Sequence, residues 1–293
     1  MIRPIYILPL LLILFASCDQ EGRQEKTLIN SLSNIDDDSI NQVVEFVEAT
    51  EIPEANPIKP QLEAKYETVG KIPCPNGYVR VVVNTNSFGY YLRNSPLKTE
   101  NNIVYLYNGN EKYNQDAHFA IVKMDVGTQD LQQCADAVMR LRGEYLFEHN
   151  RFSEIHFNFL SDGKPHYYTD YVGNDRTHDK FRRYMNHIFS YANTGSLKKE
   201  LNTVTIEDMQ IGDVFIQSGN PYGHAITVMD IAKNDKDQKI FMISQSYMPA
   251  QEIHILINQI DQDLSPWYPL DFGESLFTPE WTFNAKDLKR FKD

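Results

Sequence analysis

The chain has 293 residues, a formal net charge of −12 and 42% hydrophobic residues. Its acidic balance excludes the basic footprint that nucleic-acid binding needs, while the apolar content suffices for a full core. Three cysteines are too few for a disulfide framework, although a single Cys74–Cys134 bridge would leave no free thiol in the folded part.

Residues 1–17 read as a lipoprotein signal peptide. Arg3 supplies a minimal positive n-region, and residues 4–15 form an almost uninterrupted apolar run shorter than the ~20 residues of a membrane-spanning helix. Phe15-Ala16-Ser17-Cys18 fits the small-small-Cys junction of bacterial lipoproteins, so Cys18 is the expected lipidation site and mature N-terminus. An ordinary secretory signal with a chance cysteine is the rival. The expected partner is a membrane lipid anchor at the cell envelope. Residues 18–65 are polar, acidic and Pro-containing, with Asp36-Asp37-Asp38 and a short helix over 40–47, and read as a tether.

One compact α+β domain is expected over 66–293. The spans 78–83, 103–107 and 118–126 are rich in β-branched and aromatic residues and predict strands, with Asn108-Gly109-Asn110 as a turn. A helix is predicted over 131–147, capped by Asp130 with Gln133 three residues later, and with Cys134, Val138, Leu141 and Tyr145 on its apolar face. A hairpin over 155–160 and 166–172 and a second helix over 179–192 follow, within an expected insertion spanning about 151–201. Three strands close the reading: 213–217, 224–231 and 240–247.

Chemistry concentrates on Cys134 and His224. A helix N-terminus and a neighbouring imidazolium both lower a thiol pKa, and the imidazole supplies a base. Core packing is the rival for Cys134, since free cysteines are usually buried. Asn220-Pro221-Tyr222-Gly223 is expected to deliver His224 to the sheet's rim, within reach of solvent and within hydrogen-bonding reach of the thiol. Strand alternation groups His224 with Ile226 and Val228. Gln245 is the chosen acceptor for the imidazole, with Ser244 and Ser246 open because the hairpin register is not fixed by sequence. The Cys134 N–H, with an amide from Gln129, Gln132 or Gln133, is the candidate oxyanion hole. No His-x-x-x-His or Cys-x-x-Cys spacing suggests a metal, and no cofactor is expected.

Ser87-Phe88, Tyr91-Leu92-Arg93, Leu131-Gln132-Gln133-Cys134-Ala135-Asp136-Ala137-Val138-Met139-Arg140-Leu141-Arg142, Tyr191-Ala192, Gly223-His224-Ala225 and Gln245-Ser246-Tyr247-Met248-Pro249-Ala250-Gln251 resemble the bacterial domain of unknown function 4846. The order Cys, Gly-Asp strand, Gly-His strand, polar strand is more distantly similar to the NlpC-type and CHAP-type papain-like amidases. That likeness implies a papain-like (NlpC-type) fold with a nucleophile helix packed on an antiparallel sheet. It also implies a cysteine peptidase or amidase with Cys134 as nucleophile, His224 as base and Gln245 as third polar residue. Cell-wall peptide amides are the implied substrate. Those amidases usually carry Asp-Cys-Ser where this chain has Gln133-Cys134-Ala135, and their Cys-to-His separation is shorter. The alternative is a catalytically inactive binding or structural lipoprotein with the same fold. An acyltransferase using the same pair is a third reading.

The Cys18→Ala protein should lose its membrane attachment in cell fractionation. Unchanged recovery with membranes would refute the lipidation reading.

Overall fold

The computed structural model describes residues 66–219 and 222–292. The expected signal peptide, the Cys18 anchor and the tether lie outside them. The helices are α1 (Phe88–Arg93), α2 (Cys134–Glu148), α3 (Tyr168–Val172), α4 (His178–Tyr191) and α5 (Thr194–Glu200). The strands are β1 (Val79–Arg80), β2 (His118–Ile121), β3 (His156–Asn158), β4 (Pro165–Tyr167), β5 (Asn202–Thr203), β6 (Val214–Gln217) and β7 (His224–Lys233). They continue with β8 (Lys239–Gln245), β9 (His254–Leu256), β10 (Tyr268–Pro269), β11 (Ser275–Phe277), β12 (Thr282–Asn284) and β13 (Leu288–Arg290). The fold is mixed α+β and mostly β.

Nine strands form one antiparallel sheet in the order β2-β9-β8-β7-β6-β13-β5, with β1 on β7 and β10 on β8. The two central strands, β7 and β8, are buried over almost their whole length. Strand alternation explains how both faces are filled. Ala225 and Met229 join Val138, Leu141, Phe181 and Ile188 in the core on the helical side. Ile226 and Val228 turn the other way, into a second core with Phe215, Phe241, Leu276 and Phe283. The β11–β12 hairpin contributes Leu276 and Phe283 to that second core.

A break in the β7–β8 register between Val228 and Asp230 brings the Asp230 carboxylate inward. There it is fully buried and accepts from Arg80 Nε at 2.6 Å, Arg93 Nε at 2.8 Å and its neighbour's backbone N–H. The arginines in turn donate to backbone carbonyls of Ile72 and Val81. One carboxylate therefore fastens α1, β1 and the loop at Ile72 to the centre of the sheet.

Several elements depart from the sequence reading. The helix expected over 131–147 starts at Cys134, because Asp130 does not cap it. Asp130 Oδ1 instead accepts from the Ala250 N–H and the Gln133 side chain, and Asp136 Oδ2 caps the Gln133 N–H. The span 103–107 pairs only through isolated bridges from Tyr105 to Glu111 and from Leu106 to Gln251. The span 78–83 narrows to Val79–Arg80, beyond which Val82 is 99% exposed. The apolar-polar run over 166–172 divides into β4 and the helical turn α3, whose Tyr168 is buried against Phe147, Phe152 and Phe181.

Asp230→Ala should destabilise the protein by roughly 3–5 kcal/mol, because two arginines lose a fully buried partner. Urea unfolding checks this, and a loss under ~1 kcal/mol would show that the arginines re-solvate freely.

Candidate functional site

Cys134 opens α2 and lies on a cleft of about 410 Å³. The cleft is lined by Leu160, Phe189, Asn193 and Thr194 together with Ser218, Tyr222, Gly223 and Met248. Contacts of Gln132 and Asp130 seat this helix end against the β8–β9 connection, which Ser246 and Gln251 brace internally. Ser246 Oγ lies 3.0 Å from the Gln132 carbonyl and 2.8 Å from the Gln251 carbonyl, and the Asp130 carboxylate holds the Ala250 N–H at 2.7 Å. Cys134 is 6% exposed and its thiol donates to the Gly223 carbonyl at 3.8 Å. Gly223 must be glycine for this approach, since an added Cβ would fall 2.7 Å from Thr194 Oγ1 and 2.1 Å from the Gln217 carbonyl.

His224 opens β7, next in chain to Gly223. Its Nε2 lies 2.9 Å from Gln245 Oε1. The register that pairs Thr227 with Ser244 puts Gln245 on the His224 face of β8 and turns Ser244 and Ser246 to the helical side. Gln245 is therefore the polar residue that meets the imidazole. Its own Nε2 approaches Glu280 Oε2 at 2.5 Å and His254 Nε2 at 3.3 Å, and Glu280 is ion-paired with Lys112 at 2.6 Å. Tyr247, Trp281 and Phe283 pack around the ring with centroid separations of 4.9, 5.2 and 5.8 Å.

Two expectations about the pair need correction. His224 is not reachable by solvent at the rim; it is fully buried, because the loop at Trp281 and the strand at Phe283 cover its face. Nor are ring and thiol hydrogen-bonded. Among the described residues His224 Nδ1 has no hydrogen-bond partner, and the sulfur turns instead to backbone groups on either side of His224.

Burial also decides the charge states. The Cys134 thiol is pushed up to about 12 by burial, reinforced by Asp136, while the N–H groups of Ala135, Ala225 and Cys134 itself pull weakly the other way. The His224 ring is pushed down to about 4 by burial, opposed by its bond to Gln245. At neutral pH the resting pair is a thiol and a neutral imidazole. Asp136, which sequence reasoning passed over, lines the cleft with its carboxyl held well above the usual range by burial.

The glutamines proposed as oxyanion donors separate. Gln133 lines the cleft, but its amide nitrogen donates to Asp130 at 3.0 Å. Gln132 is fully buried, with Oε1 accepting from Arg140 and Nε2 without a partner among the described residues. Gln129 stands on an exposed bend before the helix and does not line the cleft. Backbone N–H groups at the helix start are the remaining donors. Cys74 and Cys134 are both free thiols, which removes the bridge considered from sequence. Among the described residues no three His, Cys, Asp or Glu side chains gather as a metal site, and no helix is long and apolar enough to cross a membrane. Glu280, Lys112 and His254 carried no local motif that would have marked them.

Thiolate absorbance from Cys134, read against the Cys134→Ser protein, should be absent at pH 7 and emerge only toward pH 12. The folded His224 ring binds its proton more weakly than the unfolded chain does. It should therefore contribute stability that is lost as pH falls from about 6.5 toward 4. A thiolate seen at neutral pH would reveal an ion pair that this geometry lacks.

The chain matches no curated protein and no solved structure. A family model, described as domain of unknown function 4846, matches residues 69–177 and 162–290. That span takes in α2, the Gly223-His224 strand and the strand bearing Gln245, and the chain belongs to the domain of unknown function 4846 family.

Proposed function

We propose that the protein is a cell-envelope lipoprotein with a papain-like, NlpC-type cysteine peptidase or amidase site, acting on peptide amides of the cell wall. One observation carries the reading. Cys134 sits at the N-terminus of a cleft-lining helix, its sulfur against the backbone flanking a histidine whose Nε2 is held by Gln245. With Nε2 engaged, Nδ1 is the nitrogen left to act as base. The envelope location rests on the lipobox sequence alone.

In this mechanism the thiol attacks the scissile carbonyl carbon while its proton passes to His224 Nδ1. The C–S bond forms, and the carbonyl π electrons move onto oxygen beside the N–H groups of Cys134 and Ala135. Collapse breaks the C–N bond, and the imidazolium returns the proton to the departing amine. Water, deprotonated by the same nitrogen, then adds to the thioester carbonyl; the C–S bond breaks, the acid leaves, and the imidazolium returns its proton to the Cys134 sulfur. Because the resting partners are neutral, the proton moves during attack and not beforehand. Asp130 lines the cleft and, among the described residues, no Lys or Arg does, which suits a substrate presenting an amine near the scissile bond.

The absence of a ring–thiol hydrogen bond favours a second reading, a binding lipoprotein that keeps the fold without turnover. A peptide-like electrophilic probe and purified cell-wall fragments distinguish the two. The hydrolase reading expects labelling of Cys134 and release of new amines, both lost in Cys134→Ser and His224→Leu. Gln245→Ala should lower the rate by about 10²-fold, on the scale of a general-base contribution. Retention of fragments without cleavage, equal in wild type and Cys134→Ser, would establish the binder.

A further inference from the structure

Outside the Cys134, His224 and Gln245 set, the second face of the sheet holds a buried polar chain in which each member's donor or acceptor role is forced. We infer that Glu280 and His254 are positioning residues: through the Gln245 amide they hold the His224 ring in its Nε2–H tautomer, leaving Nδ1 unprotonated. The inference rests on the proposed role of His224 as base.

Two fixed acceptors set the direction of the chain. Glu280 Oε2 receives Lys112 Nζ at 2.6 Å, with Lys112 only 6% exposed, and a carboxylate so paired only accepts. The Gln245 atom 2.5 Å from that oxygen is therefore the amide nitrogen. His254 imposes the same choice independently. Its Nδ1 lies 2.8 Å from the Glu252 carbonyl, which accepts, so Nδ1 carries the hydrogen. Burial keeps this ring neutral, its pKa well below the ordinary histidine value. His254 Nε2 is then a bare lone pair, 3.3 Å from the Gln245 nitrogen. Both hydrogens of the amide thus have an acceptor, one on each side.

With the nitrogen so placed, Gln245 Oε1 faces His224 Nε2 at 2.9 Å. An amide oxygen only accepts, so Nε2 must carry the imidazole hydrogen. A neutral imidazole has one N–H, which leaves Nδ1 bare, and Nδ1 is the atom without a hydrogen-bond partner among the described residues. The reversed amide would set its oxygen against a carboxylate and a lone pair while offering its N–H to Nε2. Strand pairing supplies the frame, since Gln245 lies directly opposite His254 in the β8–β9 register. Glu280 arrives from the turn closed by Thr278 and Trp281, the same turn that places Trp281 over the His224 ring.

Long-range ¹H–¹⁵N spectra of the full-length protein with labelled histidine test this, the His224 signals being identified by their loss in His224→Gln. At pH 7 wild type should show Nε2 in the protonated range and Nδ1 in the lone-pair range. Glu280→Ala should raise the Nδ1–H population and slow alkylation of Cys134 by about 10- to 100-fold, the scale on which outer partners of a working histidine act. A wild-type ring protonated on Nδ1 overturns the inference, and so does a Glu280→Ala ring with unchanged tautomer. The wild-type spectrum decides even where the variant fails to fold. An Nε2–H ring in a protein whose Cys134 never turns over substrate would support the inference and sink the hydrolase reading.

Discussion

Strands β7 and β8 are covered on both faces, and this two-sided burial constrains everything polar that they carry. No side chain at positions 224, 230 or 245 can fall back on bulk water, so each must find a partner within the protein or lose roughly 1–3 kcal/mol. Asp230 meets the condition with two arginines and a backbone N–H. At the other end of the strands the condition is met by a chain running from Lys112 through Glu280 and Gln245 to His224. Both solutions fasten peripheral segments to the sheet: α1 and β1 by the first, the β11–β12 region by the second.

The same burial governs reactivity. A helix N-terminus stabilises a nearby anion by about 0.3–1 kcal/mol when exposed and up to ~2 kcal/mol when partly buried. The rise of the Cys134 pKa from 9.0 to about 12 corresponds to roughly 4 kcal/mol in the opposite direction. Desolvation wins, and Asp136 adds to it. At neutral pH the thiol is therefore protonated at rest.

The cleft at Cys134 owes part of its shape to residues outside the main sheet. Leu160, Phe189, Ala192, Asn193, Thr194 and Gly195 come from the segment carrying β3, β4 and helices α3 to α5. That segment packs through aromatic contacts among Phe147, Phe152, Tyr168 and Phe181, so its position follows that of α2. Ser218, Tyr222 and Gly223, which also line it, come from the connection before His224. Cys134, the start of the His224 strand and the cleft therefore meet at one helix end.

Local signals in the sequence were enough for the strongly periodic elements: α2 with Cys134 at its head, the helix at Phe181, Tyr184 and Ile188, and the strands beginning near Val214, His224 and Lys239. The choice of Gln245 over Ser244 and Ser246 was not determined there, because a register shift of one residue reverses which face each side chain takes. Tertiary structure made that choice by pairing Thr227 with Ser244. It also set what no local pattern encodes, namely the burial of His224, the neutral state of the thiol, and the parts played by Glu280 and His254. Glu280 stands 35 residues after Gln245, and Lys112 lies 168 residues before Glu280. Periodicity and capping act over a few residues. Desolvation and hydrogen-bond direction depend on every neighbour that the fold brings together, and those neighbours come from across the whole domain.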